Sequence, residues 1–302
     1  MVRMNRFGAA VAGAALVLGV SAGVAAAQAT AEKPKPKARK PAIATAVVAP
    51  KAEAPTTEAG GGDINRLRHA AQNPVADLIS VPLQNNTNFG YGPYRRPQNV
   101  LDFQPVIPFK ITPEWNVITR WVTPIVDQPR LSPTENADFG LGNVQPSIFL
   151  SPAQPGKIIW GAGPVFWLPT ATGRTLGVNK WGAGPTAVAL TIEGPWVAGV
   201  LVNNIWAGTH NQRVNQMLLQ PFVNYNLPDG WYLTSSPIVT ADWLADSGDR
   251  WKVPIGGGFG RLFKIDRLPV NAQIQAFYNV VRPDYGATWT LRFQVQALFP
   301  AI

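Results

Sequence analysis

Residues able to carry out covalent or metal chemistry are scarce in this chain of 302 residues. It has no cysteine, which removes thiolate nucleophiles, thiolate metal sites and disulfides together. It has two histidines, His69 and His210. A Ser-His-Asp hydrolase would need one of them as its base. His210 stands between Thr209 and Asn211, but no strand-borne serine is evidently paired with it, and neither histidine has ligand-like spacing. Asp242, Asp246 and Asp249 around Gly248 offer the oxygen ligands calcium takes, yet they lack the full loop spacing and read first as a solvated loop. Gly256–Gly260 (GGGFG) superficially resembles a phosphate loop, but it lies within a strand pattern and no helix follows it. Glycines there relieve crowding or permit close backbone approach. No catalytic set, cofactor loop or metal centre is expected.

The polar residues that remain are mostly amides at alternating positions. Asp102, Gln104, Asn116, Arg120, Gln216, Gln220, Asn224, Gln273, Gln275, Arg292, Gln294 and Gln296 each fall on the polar face of a candidate strand. Asn and Gln with few charges make a hydrated, weakly selective wall, in which Arg120 and Arg292 opposed by Asp102 can set a constriction. The same groups can instead close a polar network that fills a narrow barrel without conduction. A twelve-stranded interior has room for either, and the pore is the preferred reading.

The elements that must position these residues are strands. In Ala287–Phe299, Trp289, Leu291, Phe293, Val295, Ala297 and Phe299 alternate with Thr288, Thr290, Arg292, Gln294 and Gln296. Side chains alternate across a strand, so one face is apolar and the other polar. Twelve such segments follow one another: Leu78–Asn88, Gln98–Phe109, Glu114–Val126, Gly142–Ser151, Lys157–Thr170, Trp181–Ile192, Pro195–Trp206, Arg213–Asn226, Trp231–Trp243, Arg250–Ile265, Val270–Val281 and Thr288–Phe299. Pro195–Trp206 is ambiguous in its facing. The number is even, as single-chain bacterial barrels require, and connections after even strands are tight while most of those after odd strands are longer and more polar. Pro152–Gly156 is the exception, a longer turn on the short side.

Aromatic placement agrees with a membrane wall. Trp115, Trp160, Trp181, Trp196, Trp206, Trp231, Trp243 and Trp251 lie at or near strand ends, where interfacial rings are favoured. Trp160 and Trp181 open a short repeat, WGAGP, on neighbouring strands and so belong to opposite interfaces. Against the pattern, Pro105, Pro146, Pro164, Pro185, Pro221, Pro237 and Pro254 fall inside strands and cannot donate to a ladder. Each must mark a bulge or a broken ladder bond, either as a belt of kinks that opens or narrows the wall or as local adjustments without a transport role.

The composition fits. Only 14% of residues are charged, against roughly 25% in soluble domains, yet no mature segment is apolar for the ~20 residues a membrane helix needs. Residues 1–27 read as a secretory signal peptide: Arg3 and Arg6, an uncharged run from Phe7 to Val24, then A-x-A sites at Ala25–Ala27 or Ala27–Ala29. An uncleaved anchor is the alternative. Residues 28–62 form a linker of low complexity with Lys33, Lys35, Lys37, Arg39 and Lys40 among prolines, expected to be disordered. Eight of the chain's Lys and Arg and three of its acids lie in residues 1–62, so much of the net charge of +9 belongs to that tail. A basic exported tail is a solvated tether or meets anionic envelope polymers or lipid headgroups, not nucleic acid. Residues 63–76 include a short helix, capped by Asp63 and ended by Asn73-Pro74, that plugs the pore entrance or packs at its rim.

Several runs carry a family resemblance: QNPVADLISVPLQNNTNFG (Gln72–Gly90), QNVLDFQPVIPF, SPAQPGKIIWGAGP, KWGAGPTAVALT, VNQMLLQPFVNYNLPDGWYLTSSPI and the closing LRFQVQALFP. Over about Ala71–Pro300 the chain resembles Gram-negative outer-membrane proteins labelled as meta-pathway phenol-degradation transporters, some of which carry the misapplied name neuromedin U. The resemblance implies an outer-membrane β-barrel that takes up aromatic or other small hydrophobic compounds, and it carries over no functional residues. The expectation is therefore an all-β, transmembrane, antiparallel up-and-down barrel of about twelve strands over residues 77–302, exported by a cleaved signal peptide. Its function is passive solute uptake without catalysis or cofactor, the alternatives being a structural or adhesive envelope barrel and an outer-membrane hydrolase. Its partners are outer-membrane lipid, a small solute and the barrel-assembly machinery, which would read Phe299. Pro300, Ala301 and Ile302 follow that aromatic residue, a departure from the usual terminal signal.

Overall fold

Alternating faces require two different surroundings, and the chain supplies them by closing on itself. The computed structural model describes residues 59–209 and 212–300. The expected signal peptide, most of the expected linker and His210 lie outside the described residues. A helix, α1 (Ala59–Ala71), precedes twelve barrel strands. They are β1 (Ile79–Tyr91), β2 (Arg96–Phe103 continued by Val106–Lys110), β3 (Trp115–Gln128), β4 (Asp138–Leu141 continued by Gln145–Pro152), β5 (Ile158–Trp167) and β6 (Gly182–Glu193). After them come β7 (Trp196–Thr209), β8 (Gln212–Asn226), β9 (Trp231–Ser235 continued by Val239–Asp242), β10 (Trp251–Ile265), β11 (Leu268–Val281) and β12 (Trp289–Phe299). Every strand pairs antiparallel with the next, and β12 closes on β1 from Ile79↔Phe299 to Phe89↔Trp289. All twelve predicted segments are strands, and Ala287–Phe299 has the two neighbours its position demands.

The outer surface is apolar. Leu83, Phe103, Ile148, Leu150, Val200, Leu233, Ile255, Phe259 and Phe293 are all exposed on strands. In water so continuous a patch would drive aggregation; facing hydrocarbon, with every edge closed, it is the surface a transmembrane barrel needs.

Tight connections sit at one end. Glu193 and Trp196 pair across Gly194-Pro195 with Gly194 at φ 56°, and Asp266 adopts φ 54° between β10 and β11. At Leu227–Gly230 both Asp229 (φ 54°) and Gly230 (φ 79°) are left-handed. Gly230 is required there: a Cβ would lie 2.1 Å from the Leu262 carbonyl oxygen.

The prolines behave in four ways. Pro105 and Pro237 fall in the gaps that divide β2 and β9, with strand register unchanged on either side of each gap. Pro254 marks a register shift against β11. Pro164 and Pro185 face each other across β5 and β6. Pro146 and Pro221 instead keep regular pairing with Trp121 and Val200, so not every strand proline breaks the wall.

α1 differs from expectation at its start. It begins at Ala59, so Asp63 is an interior residue and not its cap; the carboxylate instead pairs with Lys264 on β10 and with Arg66 at 3.2 Å.

Candidate functional site

Inward and outward faces follow directly from register. Gln84 pairs with Asp102 and Gln294, Gln104 and Val106 continue the same face of β2, and Val106 pairs with Arg120. Asn116 pairs with Ser151, and Asn224 with Thr234. Gln273, Gln275 and Asn271 oppose Gln294, Arg292 and Gln296. Gln216 and Gln220 share the inward face of β8 with Asn224. All twelve predicted lumen residues therefore turn inward together.

At mid-height they form a charged layer. Arg120 donates from Nη2 to Gln104 Oε1 at 2.7 Å. Arg292 donates from Nε to Asn86 Oδ1 at 2.9 Å and from Nη1 to the Ser236 carbonyl at 2.8 Å, and lies 4.9 Å over the Phe277 ring. Asn86 Nδ2 in turn donates to Asp102 Oδ2 at 3.1 Å. The expected Arg–Asp opposition exists, but neither arginine touches Asp102 directly; Asn86 stands between Asp102 and Arg292. Sequence reading missed Asn86, Ser236, Lys252, Asn271 and Tyr232. Asn86 was legible as the inward member of the run Asn85-Asn86-Thr87-Asn88, and Lys252 as the one cation in an otherwise uncharged half-strand.

The layer separates two voids. The one on the tight-turn side, about 160 Å³, is lined by Gln84, Gln104, Arg120, Gln220, Gln273 and Gln294 among others, and by the end of α1 and the segment leaving it, Ala70–Pro74. The other, about 190 Å³, is lined by Asn86, Lys252, Phe277 and Arg292 among others. Glycines line β10 where the wall is most crowded: a Cβ on Gly256 or Gly258 would fall 1.9 Å from the carbonyl oxygen of Ala276 or Ile274. The GGGFG run is thus a close-approach device in a strand.

One side of the interior is not polar. Ile118, Phe149, Val188, Leu190, Val197 and Leu201, from β3, β4, β6 and β7, pack with Val75. This explains the ambiguity of Pro195–Trp206, since β7 is apolar on both faces. The hydrated wall inferred from Asn and Gln covers the β1–β2 and β8–β12 side, and Val75 carries the N-terminal segment onto the apolar side.

α1 is fixed to the tight-turn end. Arg68 Nη1 donates to the carbonyls of Leu227 at 2.6 Å and Trp231 at 2.9 Å, while Nη2 reaches Asn65 Oδ1 at 2.8 Å. Gln72 and Asn226 exchange amide hydrogen bonds at 3.0 and 3.3 Å. The Lys264 ammonium holds the Asp63 carboxyl below its ordinary range. Burial lowers the Arg68 value, and burial together with the Arg68 charge lowers that of His69. His69 belongs to this helix.

The predicted interface tryptophans form two outward rings. Trp115, Trp196 and Trp231 open strands at the tight-turn end and Trp160 lies just inside the start of β5, where it meets Trp115 edge-on at 6.1 Å. Trp181, Trp206, Trp243 and Trp251 lie at the other end, with Trp243 and Trp251 at 5.5 Å. Phe299 lies at the tight-turn end, opposite Ile79. Among the described residues no three His, Cys, Asp or Glu converge as a metal would need. Asp242 accepts from the Leu244 amide at 3.0 Å within its own turn, and Asp249 accepts from the Asp284 amide at 2.6 Å, a contact between two loops.

Neither protein-family models nor curated proteins match the chain. Among solved structures it is similar to an outer membrane channel from Pseudomonas putida F1, with a TM-score of 0.56, 16% identity, and coverage of 74% of this chain and 94% of that one. It is also similar to the NanC porin, with a TM-score of 0.48, 8% identity, and coverage of 73% and 98%. Outer membrane phospholipase A from Escherichia coli gives a TM-score of 0.37, 13% identity, and coverage of 74% and 97%. The first likeness establishes the barrel fold, and fold alone does not assign an activity.

Proposed function

We propose that the chain is an outer-membrane channel or transporter for passive uptake of small solutes, aromatic and other small hydrophobic compounds among them. The observation that carries this reading is the inward wall of amides on either side of the Asp102–Asn86–Arg292 layer, with a void on each side of it. A permeation path needs a polar wall and a narrow selective point, and the open space on both sides of the layer supports one. The apolar outer face and the two tryptophan rings support residence in the outer membrane, reached by way of the signal peptide in residues 1–27. The family resemblance and the likeness to a Pseudomonas putida channel favour uptake over hydrolysis. In this reading Phe299 presents the closing strand to the assembly machinery, and the basic tail meets anionic envelope polymers.

The test is reconstitution of the full chain in planar bilayers and liposomes. Discrete conductance steps, with swelling in a panel of aromatic acids, sugars and amino acids, are expected. A folded barrel, judged by its heat-dependent gel mobility, that is electrically silent and admits no solute would favour the structural reading instead. Lipid-ester hydrolysis that disappears in His210→Ala would favour the hydrolase.

A further inference from the structure

The void on the far side of the charged layer has an unusual lining. Lys252 and Arg292 both face it, and no acidic side chain does. Lys252 turns inward on β10 opposite Thr240. Its Nζ has no carboxylate within ion-pair distance among the described residues, although Asp102 and Asp242 face the same lumen. Asp242 is engaged with the Leu244 amide and Asp102 with Asn86. Arg292 is held in place through Nε and Nη1 by Asn86 and Ser236, which leaves Nη2 without a partner among the described residues. The rest of the wall is half polar, with Asn86, Asn88, Asn279 and Thr290, and half apolar, with Val100, Ile238, Pro254 and Phe277.

We propose that this chamber binds a small organic monoanion, a carboxylate on an apolar body, resting on the uptake function above and naming its solute class. Two cations on different strands can hold one oxygen each, the arrangement a carboxylate satisfies through charge-assisted hydrogen bonds. Low-dielectric walls focus their field into the void and raise the local anion concentration. The apolar side chains beside them reward a hydrocarbon or aromatic body, which an inorganic anion lacks. Asp102, screened behind Asn86, keeps the layer from becoming an unselective anion trap.

The test is ligand-observed fluorine NMR on the full chain in a non-ionic detergent, with 4-fluorobenzoate as probe and 4-fluorobenzyl alcohol as its neutral counterpart. Saturable broadening of the carboxylate, displaced by unlabelled benzoate and not by chloride at equal ionic strength, is expected. The alcohol should show only micelle partitioning. Lys252→Met keeps the stem and removes the charge; it should weaken binding by about tenfold or more while the heat-dependent gel shift is retained. Arg292→Gln should do the same, but Lys252→Met is decisive because that side chain holds no hydrogen bond to the wall among the described residues. Equal titrations for wild type and Lys252→Met, or equal saturable binding of the alcohol, would overturn the proposal, and displacement by chloride would overturn the requirement for an apolar body. Binding without conductance leaves this site standing and removes uptake; conductance without binding does the reverse.

Discussion

Asn86 joins two opposite charges that do not touch: its Nδ2 donates to Asp102 at 3.1 Å and its Oδ1 accepts from Arg292 Nε at 2.9 Å. An amide is the neutral group of this size able to serve an anion and a cation at once. Asn86→Leu removes both bonds and leaves two charges to find lumen water. The expected cost is about 1–3 kcal/mol, read as a lower midpoint for loss of the compact gel form in urea. Asn86→Gln, which keeps both functions on a longer stem, should recover part of it. An unchanged midpoint in Asn86→Leu would mean that water already screens the pair.

The docking of α1 should depend on pH through His69. Burial and the neighbouring Arg68 lower its value in the docked helix, whereas the undocked helix keeps the ordinary imidazole value of about 6.5. The undocked form therefore binds the proton more readily. Docking is at full strength above the ordinary value and weakens as pH falls from there through the lowered one. Asp63 shifts the same way but acts only below the ordinary carboxylate range, so the two are separable. A spin label on α1 should gain mobility between pH 7.5 and pH 5, and His69→Gln should remove that step. A response that persists in His69→Gln would assign it elsewhere.

Much of this architecture is written in residue order. Period-two alternation, as in Ala272, Ile274 and Ala276 against Gln273 and Gln275, fixes strand and facing together, because a slip of one residue would put amides in lipid. The interior of β7 was not legible. Val197 and Leu201 are apolar and so are Trp196, Val200 and Val202 outside, and alternation carries no signal when both surroundings are apolar. The role of Val75 was hidden for a different reason. A residue in a segment between elements has no period, and its burial depends on partners such as Phe149 that are distant in sequence. The bridge through Asn86 was obscured because the facing positions of β1, β2 and β12 meet only on closure.

Gly230 and Gly194 make a matched pair for testing turn chemistry. Both have positive φ, but a Cβ on Gly230 meets the Leu262 carbonyl at 2.1 Å and one on Gly194 meets nothing within 4 Å. Gly194→Asn should therefore be tolerated to within about 1 kcal/mol. Gly230→Ala combines backbone strain of that order with a clash, and it shifts the Leu227 and Trp231 carbonyls that hold Arg68. Protease sensitivity of α1 should rise in Gly230→Ala and not in Gly194→Asn. Similar sensitivity in both would uncouple the turn from the helix.

Val75 offers the most direct test of how the N-terminal segment is held inside the barrel. Its side chain is 6% exposed and packs within the apolar interior cluster. Gly161 leaves room for it: a Cβ there would lie 3.2 Å from Val75 Cγ1. Val75→Asp places a carboxylate in that cluster, where burial without a partner costs several kcal/mol, so the segment should leave its seat. The barrel wall gains nothing by unfolding with it, because its ladder bonds and outer face are untouched. Heat-dependent gel mobility should stay as in the wild type, while Ala70–Ala76 becomes cleavable and conductance in planar bilayers rises as the floor of the void near Arg120 opens. Val75→Ala, which only trims the contact, should fall between the two, at about 1–3 kcal/mol of lost burial. Cleavage that increases with no change in conductance would show that the path runs elsewhere than past this segment.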